Sequence, residues 1–196
     1  MQNILPRPIL QIQQNDRRYP ARLNDLYDPP GQIYIQGDAR LLNMPMIAIV
    51  GSRAASSSGL RNAAWFAKGL SKAGVLVISG LARGIDGAAH QAVLELGEDY
   101  FTAAVCGTGL DITYPREHLG LARAIIQQGA LISELPLGIG PKPFHFPRRN
   151  RLIAALGLGT LVVEAALKSG SLITAKMALD MGREVLAIPG SIHATQ

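Results

Sequence analysis

The stretch MIAIVGSRAASSSGLRNAAWFAKGL (Met46–Leu70) decides the fold. It opens on an unbroken apolar run, turns at Gly51, and continues with Leu60, Ala63, Ala64, Ala67 and Leu70 at the i, i+3, i+4, i+7 spacing of an amphipathic helix. A continuous apolar run suits a strand covered on both faces, as strands of parallel sheets are. The same unit then recurs. Further apolar runs lie at Val75–Ser79, Phe101–Val105, Ala130–Ser133, Thr160–Val163 and Glu184–Ile188, and successive runs begin 24 to 30 residues apart. That interval accommodates a strand, a loop and a helix. Helical spacing returns at Leu119, Ala122, Ile125 and Ile126, and again at Leu172, Ala175 and Leu179. With right-handed crossovers, these units predict an α/β, extended Rossmann-like, doubly wound and mostly parallel sheet with helices on both faces. They share no sequence pattern, which excludes a solenoid.

Residues 1–45 read differently. They hold Tyr19-Pro20, Pro29-Pro30 and a short alternation at Gln32–Gln36. The expectation is an extended lead-in, a short helix near Arg22–Leu26, a turn and one extra strand, together an N-terminal extension packed on the sheet edge. Residues 46–196 form the Rossmann-like domain. The chain stops at Pro189–Gln196, soon after an apolar run and with no helix to cover it, so the C-terminal end of that domain is expected to be incomplete.

A chain of 196 residues buries a core without covalent staples, and its single cysteine, Cys106, excludes a disulfide framework or a cysteine-rich zinc site. No run approaches the ~20 apolar residues of a membrane span, and the start MQNILPRPIL lacks a signal-peptide pattern, so a cytoplasmic protein with no membrane partner is expected. The net charge of +5 comes from 19 basic and 14 acidic residues, an excess compatible with nucleic acid but shared by many enzymes. Its placement is more telling. Lys142, Arg148, Arg149, Arg151, Lys168 and Lys176 all fall in the last third, close to glycine turns.

Ligands of open α/β sheets bind beyond the carboxyl ends of the strands, where the glycine turns lie. Gly51-Ser52-Arg53 offers a tight turn, helix caps at Ser56–Ser58, a helix start that attracts phosphate, and the fork of Arg53. It is no P-loop, having no lysine at the required place, and no dinucleotide fingerprint, since the second strand ends in Ser79-Gly80 rather than an acid. No nucleotide cofactor is therefore expected. Gly80–Gly84 carries Arg83 and leads to Asp86, which opens the next helix, and to His90, which reads as structural. Gly107–Asp111 with Tyr114–Glu117 serves equally as a ligand turn or as a compact lead into a helix Arg116–Gln128.

Pro141–Arg151 is stiffened by prolines and presents Phe144, His145 and Phe146. Arg148 and Arg149 are expected to open the following helix, an unfavourable place for cations unless an anion lies there. Aromatic rings stack on any base and arginines neutralise phosphate, although core packing competes for each phenylalanine. Lys168-Ser169-Gly170-Ser171, ahead of Leu172–Lys176, makes another anion cradle. Four such strand ends exceed what one nucleotide needs; a single-stranded polymer of phosphates uses them better. No catalytic or metal-binding set emerges, because Asp111, Glu134 and Glu164 are scattered.

VGSR (Val50–Arg53), the SGLARGID and AAH segments of Ser79–His90, FPRRNRLIAAL (Phe146–Leu156), SGSLITA (Ser169–Ala175) and REVLAIPG (Arg183–Gly190), with YPARL (Tyr19–Leu23) before them, resemble the DNA-processing protein A (DprA/Smf) family in order and over nearly the whole chain. The resemblance implies an extended Rossmann-fold protein, not an enzyme, that binds single-stranded DNA without sequence preference. It also implies protection of incoming DNA in natural transformation, loading of the RecA recombinase, and a homodimer in the full-length protein. By motif, Arg53 binds phosphate, Lys142 and an aromatic of Phe144–Phe146 clamp and stack the strand, and Ser169, Gly170, Ser171 and Lys176 line the same pocket. Gly51, Ser52, Arg83, Phe144, Phe146, Arg148, Arg149, Asn150 and Arg151 complete the expected phosphate-binding set. Many members continue past IPGS with a closing helix and a small winged-helix-like domain that this chain lacks. The competing expectation is a nucleotide-binding, Rossmann-like enzyme of the phosphoribohydrolase type, suggested by Leu158-Gly159-Thr160 and Glu164. Against it, the proline and double glycine of that loop are absent, and Leu161, Val162 and Val163 replace its glutamates.

Overall fold

The strand β3 (Met46–Val50) is the axis about which the chain reverses. On one side it pairs in parallel with β4 (Leu76–Ser79), on the other with β7 (Gly159–Val162), Val50 standing opposite Val162. In the computed structural model, which describes residues 7–167 and 169–190, these strands belong to an eight-stranded sheet ordered β1-β2-β6-β5-β4-β3-β7-β8. The remaining strands are β1 (Ile9–Gln13), β2 (Gln32–Gly37), β5 (Thr102–Val105), β6 (Gly129–Ser133) and β8 (Glu184–Ala187). Strands β3 to β8 are parallel, while β2 runs antiparallel to both β1 and β6. The expected α/β Rossmann-like fold is therefore present, with its switch point between β3 and β7, where such folds open a crevice.

Alternation along the strands divides the core. Ala48 and Val50 point to a layer containing α4 (His145–Leu156) and α5 (Gly170–Asp180), where Leu152, Ile153 and Leu156 of α4 are buried. Ile49 and Val77 point the other way, against α1 (Ser57–Lys72) and α2 (Ile85–Leu94) through Ala63, Ala67, Ala89 and Val93. Farther along that face, α3 (Leu119–Gln128) packs Ala122 and Ile125 on Ala104 and Leu131. The small residues of α1 let its axis approach α2 closely.

Two expectations need correction. The N-terminal segment supplies two strands, not one: Leu10 and Ile12 pair with Ile35 and Ile33, and the chain enters through a run read as a mere lead-in. The run LQIQQ is short and alternates, and the prolines near it are tolerated beside an edge strand. The second correction concerns α4. It starts at His145, with Phe144 as its cap, so Arg148 and Arg149 lie in its second turn. Pro147 falls inside the first turn, where its missing N–H costs nothing, and the helix begins earlier than the arginines suggested. Short 3-10 turns at Ala21–Asp25 and Ala39–Asn43 join the N-terminal strands, and Arg22 donates to the carbonyls of Leu42 and Met44. The expectation of an incomplete end falls largely on residues 191–196, outside those described.

Candidate nucleic-acid interface

At the switch point the β3 turn, α4 and the start of α5 enclose a cleft of about 400 Å³. Gly51, Ser52, Arg53, Arg149, Asn150, Ser169, Gly170 and Ser171 line it, with Asp86 and Thr174. A smaller recess beside it shares Arg53 and Arg149 and adds Arg83, Tyr114 and Phe146. A shallow groove on the α2 side again includes Arg53, with Leu60, Gln91 and His118. Arg53 thus stands where three depressions meet.

The floor holds two buried groups of opposite charge, Arg149 and Asp86, each bonded to backbone and not directly to the other. Arg149 is only 5% exposed and donates to the carbonyls of Gly80, at 2.6 Å, and Val105 at the ends of β4 and β5. Burial pulls its guanidinium below the usual arginine range, and the Asp86 carboxylate pulls it back up. Arginine stays charged through such a shift. Asp86 accepts from the amides of Gly80 (3.0 Å) and Ala82 (3.4 Å); burial pushes its carboxyl up, against Arg149 and these amides. Gly80 is required between them, since a Cβ there would lie 2.6 Å from Arg149 Nη2 and 2.7 Å from Asp86 Oδ2.

The turns after β3 and β4 spend several of their polar groups on the protein itself. Ser52 donates its N–H to the Glu164 carbonyl at 2.7 Å, and its own carbonyl accepts from Ile85 at 3.2 Å. Gly84 takes φ +70°, and a Cβ on it would meet the Ser52 carbonyl at 2.2 Å. Ser56 caps α1 by accepting from the Gly59 amide at 3.0 Å. The Glu164 carboxylate then accepts from the Ser56 N–H (3.0 Å) and hydroxyl (2.5 Å). The α1 start, expected to attract phosphate, already holds a carboxylate of the protein itself. Of that turn, Arg53 carries the exposed charged side chain, and Gly51 and Ser52 line the cleft beside it.

The two phenylalanines divide the roles that the sequence left open. Phe146 is half-buried: Arg53 Cζ sits 5.6 Å from its centroid, Tyr114 at 5.2 Å, and a Cβ on Gly107 would touch its edge at 2.8 Å. Phe144 is 62% exposed, with Lys142 Nζ 5.9 Å from its centroid and the His145 ring at 4.5 Å. Tyr114, given no role by the sequence, is 41% exposed at the lip of the recess.

Other expected residues are employed elsewhere. Arg151 pairs with Glu134 and donates to the Asp28 carbonyl at 2.6 Å, fastening α4 to the N-terminal segment. Arg148 lies 3.4 Å from the same Glu134, and Arg83 pairs with Glu117. Asn150 accepts from Arg149 Nε and donates to the Gly170 carbonyl at 3.1 Å, joining α4 to α5. The hydroxyls of Ser169 and Ser171 meet at 2.7 Å, and Ser169 makes no side-chain cap to α5. Lys176 is exposed but does not border the cleft, and Lys168 lies outside the described residues. Among the described residues Arg53 and Lys142 make no ion pair, unlike Arg83, Arg148 and Arg151.

His90 is structural, as expected. Thr102 Oγ1 donates to the Val77 carbonyl, so His90 Nδ1 must donate to Thr102 Oγ1 at 2.8 Å. Burial pulls its pKa down to about 3, so it is neutral at physiological pH. The loop that suggested a phosphoribohydrolase is not a loop: Gly159 and Thr160 begin β7, and Glu164 is engaged as a cap. Among the described residues no group of three His, Cys, Asp or Glu could hold a metal ion, and no helix is long and apolar enough to cross a membrane.

A crevice at the switch point of a mostly parallel sheet, floored by the buried Arg149 and bordered by the exposed Arg53, defines a protein of the Rossmann-like class. A comparison with known families narrows this. The profile of DNA recombination-mediator protein A matches residues 11–196, and the chain belongs to that family. It is 49% identical over 175 residues to protein Smf of Escherichia coli K12, covering 89% of this chain and 46% of that one. It is 45% identical over 177 residues to DNA processing protein DprA of Streptococcus pneumoniae R6, covering 90% and 62%. The chain thus spans about half to three-fifths of the length of these relatives. The crystal structure of S. pneumoniae DprA superposes with a TM-score of 0.89 at 43% identity, covering 94% of this chain and 64% of that one. A DprA structure from Helicobacter pylori, described for its single-stranded DNA binding mode, gives 0.87 at 28% identity and covers 96% and 84%. A molybdenum cofactor binding protein from Rippkaea orientalis, 16% identical with a TM-score of 0.54, shares the fold alone.

Proposed function

We propose that this chain binds single-stranded DNA along the strand-end rim, without sequence preference and without cutting it, and that the full-length protein, a cytoplasmic homodimer, hands the strand to the RecA recombinase in natural transformation and recombination. One observation carries the binding: Arg53 is exposed, unpaired among the described residues, and common to three adjoining depressions above the Arg149 floor. A phosphate chain crossing the rim meets a bidentate fork at that junction, with Lys142 on its approach. Phe144 presents a bare face to an unstacked base, which a duplex cannot offer, while Phe146 supports Arg53 from beneath. Stacking of this kind accepts every base. The relation to H. pylori DprA supports the ligand class. The transfer to RecA and the dimer rest on the family alone.

The test is fluorescence anisotropy of a labelled ~20-mer, single- and double-stranded, across a salt titration. Single strands bind preferentially, and affinity falls with salt as the cations release counterions. Arg53→Ala weakens binding by about 2 kcal/mol, the scale of a charge-assisted contact, and leaves stability within about 0.5 kcal/mol. Equal affinity for duplex, or an unchanged affinity in Arg53→Ala, sinks the rim. RecA ATPase activity on strands first coated with single-strand-binding protein tests the transfer, which fails if this protein does not accelerate it.

A further inference from the structure

We propose that the solvent face of α1 is a second docking lane for single-stranded nucleic acid, continuing the rim past Arg53 and centred on Trp65. This rests on the single-strand reading of the rim. Trp65 is the one tryptophan of the chain, and it is 71% exposed, an unusual position for the largest side chain. At 100° per residue it lies opposite the buried stripe Gly59, Ala63, Ala67 and Ser71, at the centre of the outward face. Phe66 meets its ring edge to face at 4.8 Å and 87°.

The neighbours of Trp65 select the occupant. Arg61, Lys68 and Lys72 stand at i−4, i+3 and i+7, on the same face, and Ser57–Lys72 contains no acidic residue. Lys68 pairs with Glu95 of the α2 end at 2.9 Å, which marks the border of the lane. Arg61 and Lys72 have no ion pair among the described residues and face water. A tryptophan built to anchor a protein partner sits amid apolar side chains that exclude water; this one sits amid cations, the surroundings of a stacked base and its phosphates. The lane starts beside the rim: Leu60, which precedes Arg61 on the first turn of α1, borders the same groove as Arg53. From Ser57 to Trp65 the helix rises about 12 Å, a span that a strand leaving Arg53 covers in a few nucleotides.

A sole tryptophan at the site makes the test direct. Trp65 emission is followed while oligothymidylates of about 6 and about 25 nucleotides, bracketing a compact binding site, are titrated in, with anisotropy reporting binding independently. The long strand quenches Trp65, and the short one, held at the rim, leaves it unchanged. Trp65→Ala weakens the long strand about five- to tenfold, the low end of a base–aromatic stack, and spares the short one. A charge-reversed protein carrying Arg61→Glu and Lys72→Glu keeps the fluorophore and loses the quenching. Binding of the long strand with unchanged emission and unchanged affinity in Trp65→Ala overturns the lane and leaves the rim intact. Emission that answers only to another protein or to a second copy of this chain overturns it equally. Absence of binding at every length sinks rim and lane together.

Discussion

The two sides of the cleft look alike in sequence and are opposite in chemistry. Toward α1 and α2, the Glu164 carboxylate occupies the start of α1 and the Asp86 carboxylate takes the amides of the turn before α2. Toward α5, Ser169 and Ser171 open a helix with no acidic residue in its first turn and no side-chain cap. The first side is engaged largely by the protein itself; the second is the side on which the proposed rim would offer an external anion its donors. A glycine turn before a helix therefore announces an anion site without saying whether the anion is a ligand or a carboxylate of the chain.

The largest effect that tests this division is expected at Arg149. Arg149→Met leaves two strand-end carbonyls without their donor and the buried Asp86 without the opposite charge near it, and it should cost about 3–5 kcal/mol in urea unfolding, the scale of an uncompensated buried charge. A loss below about 1 kcal/mol would mean that this side is held by something else. A binding defect in Arg149→Ala is accordingly no evidence for a phosphate contact.

A smaller effect follows from His90 on the same side. Its folded-state pKa, depressed from 6.5 to about 3, means that the unfolded chain takes up a proton that the folded one refuses. Its contribution is fully present above pH 6.5 and drains as pH falls toward 3, at about 1.4 kcal/mol per unit. His90→Gln, which keeps a donor for Thr102, should flatten the stability profile between pH 6 and pH 4 in that window. An unaltered acid limb rejects His90 as its source.

The smallest and most selective change is Glu164→Gln. It weakens the α1 cap by about 1 kcal/mol, read as a fall in Tm, and removes the charge that repels phosphate from the start of α1. Single-strand affinity should hold or rise. A drop in affinity at unchanged stability would erase the distinction between the two sides.

Much of this was legible in advance. All six apolar runs became strands with ends shifted by no more than a residue, because fully buried parallel strands leave continuous patterns. The edge strand β1 was not legible, since its signal is one short alternation between prolines. Arg149 was misplaced although a signal existed: it stands at i−3 from Leu152, i−4 from Ile153 and i−7 from Leu156, on the buried stripe of its own helix. An arginine on such a stripe is a floor residue, not a surface arm. Glu164 carried no local signal at all, because its partner Ser56 is 108 residues away and is brought near only by the register of β3 and β7. Phe144 and Phe146 could not be told apart because Tyr114 and Gly107 come from another loop.

One feature of α4 bears on how the protein meets its ligand. Arg149 bolts the helix inward to β4 and β5, and Arg151, two residues on, bolts it outward to Glu134 and Asp28. A helix held at both flanks should keep its face in place in the free protein, ready for the proposed single strand. Association should then resemble the docking of a rigid template, with little heat-capacity change beyond that of the surface covered. Hydrogen exchange of the α4 amides should be as slow in the free protein as in the complex.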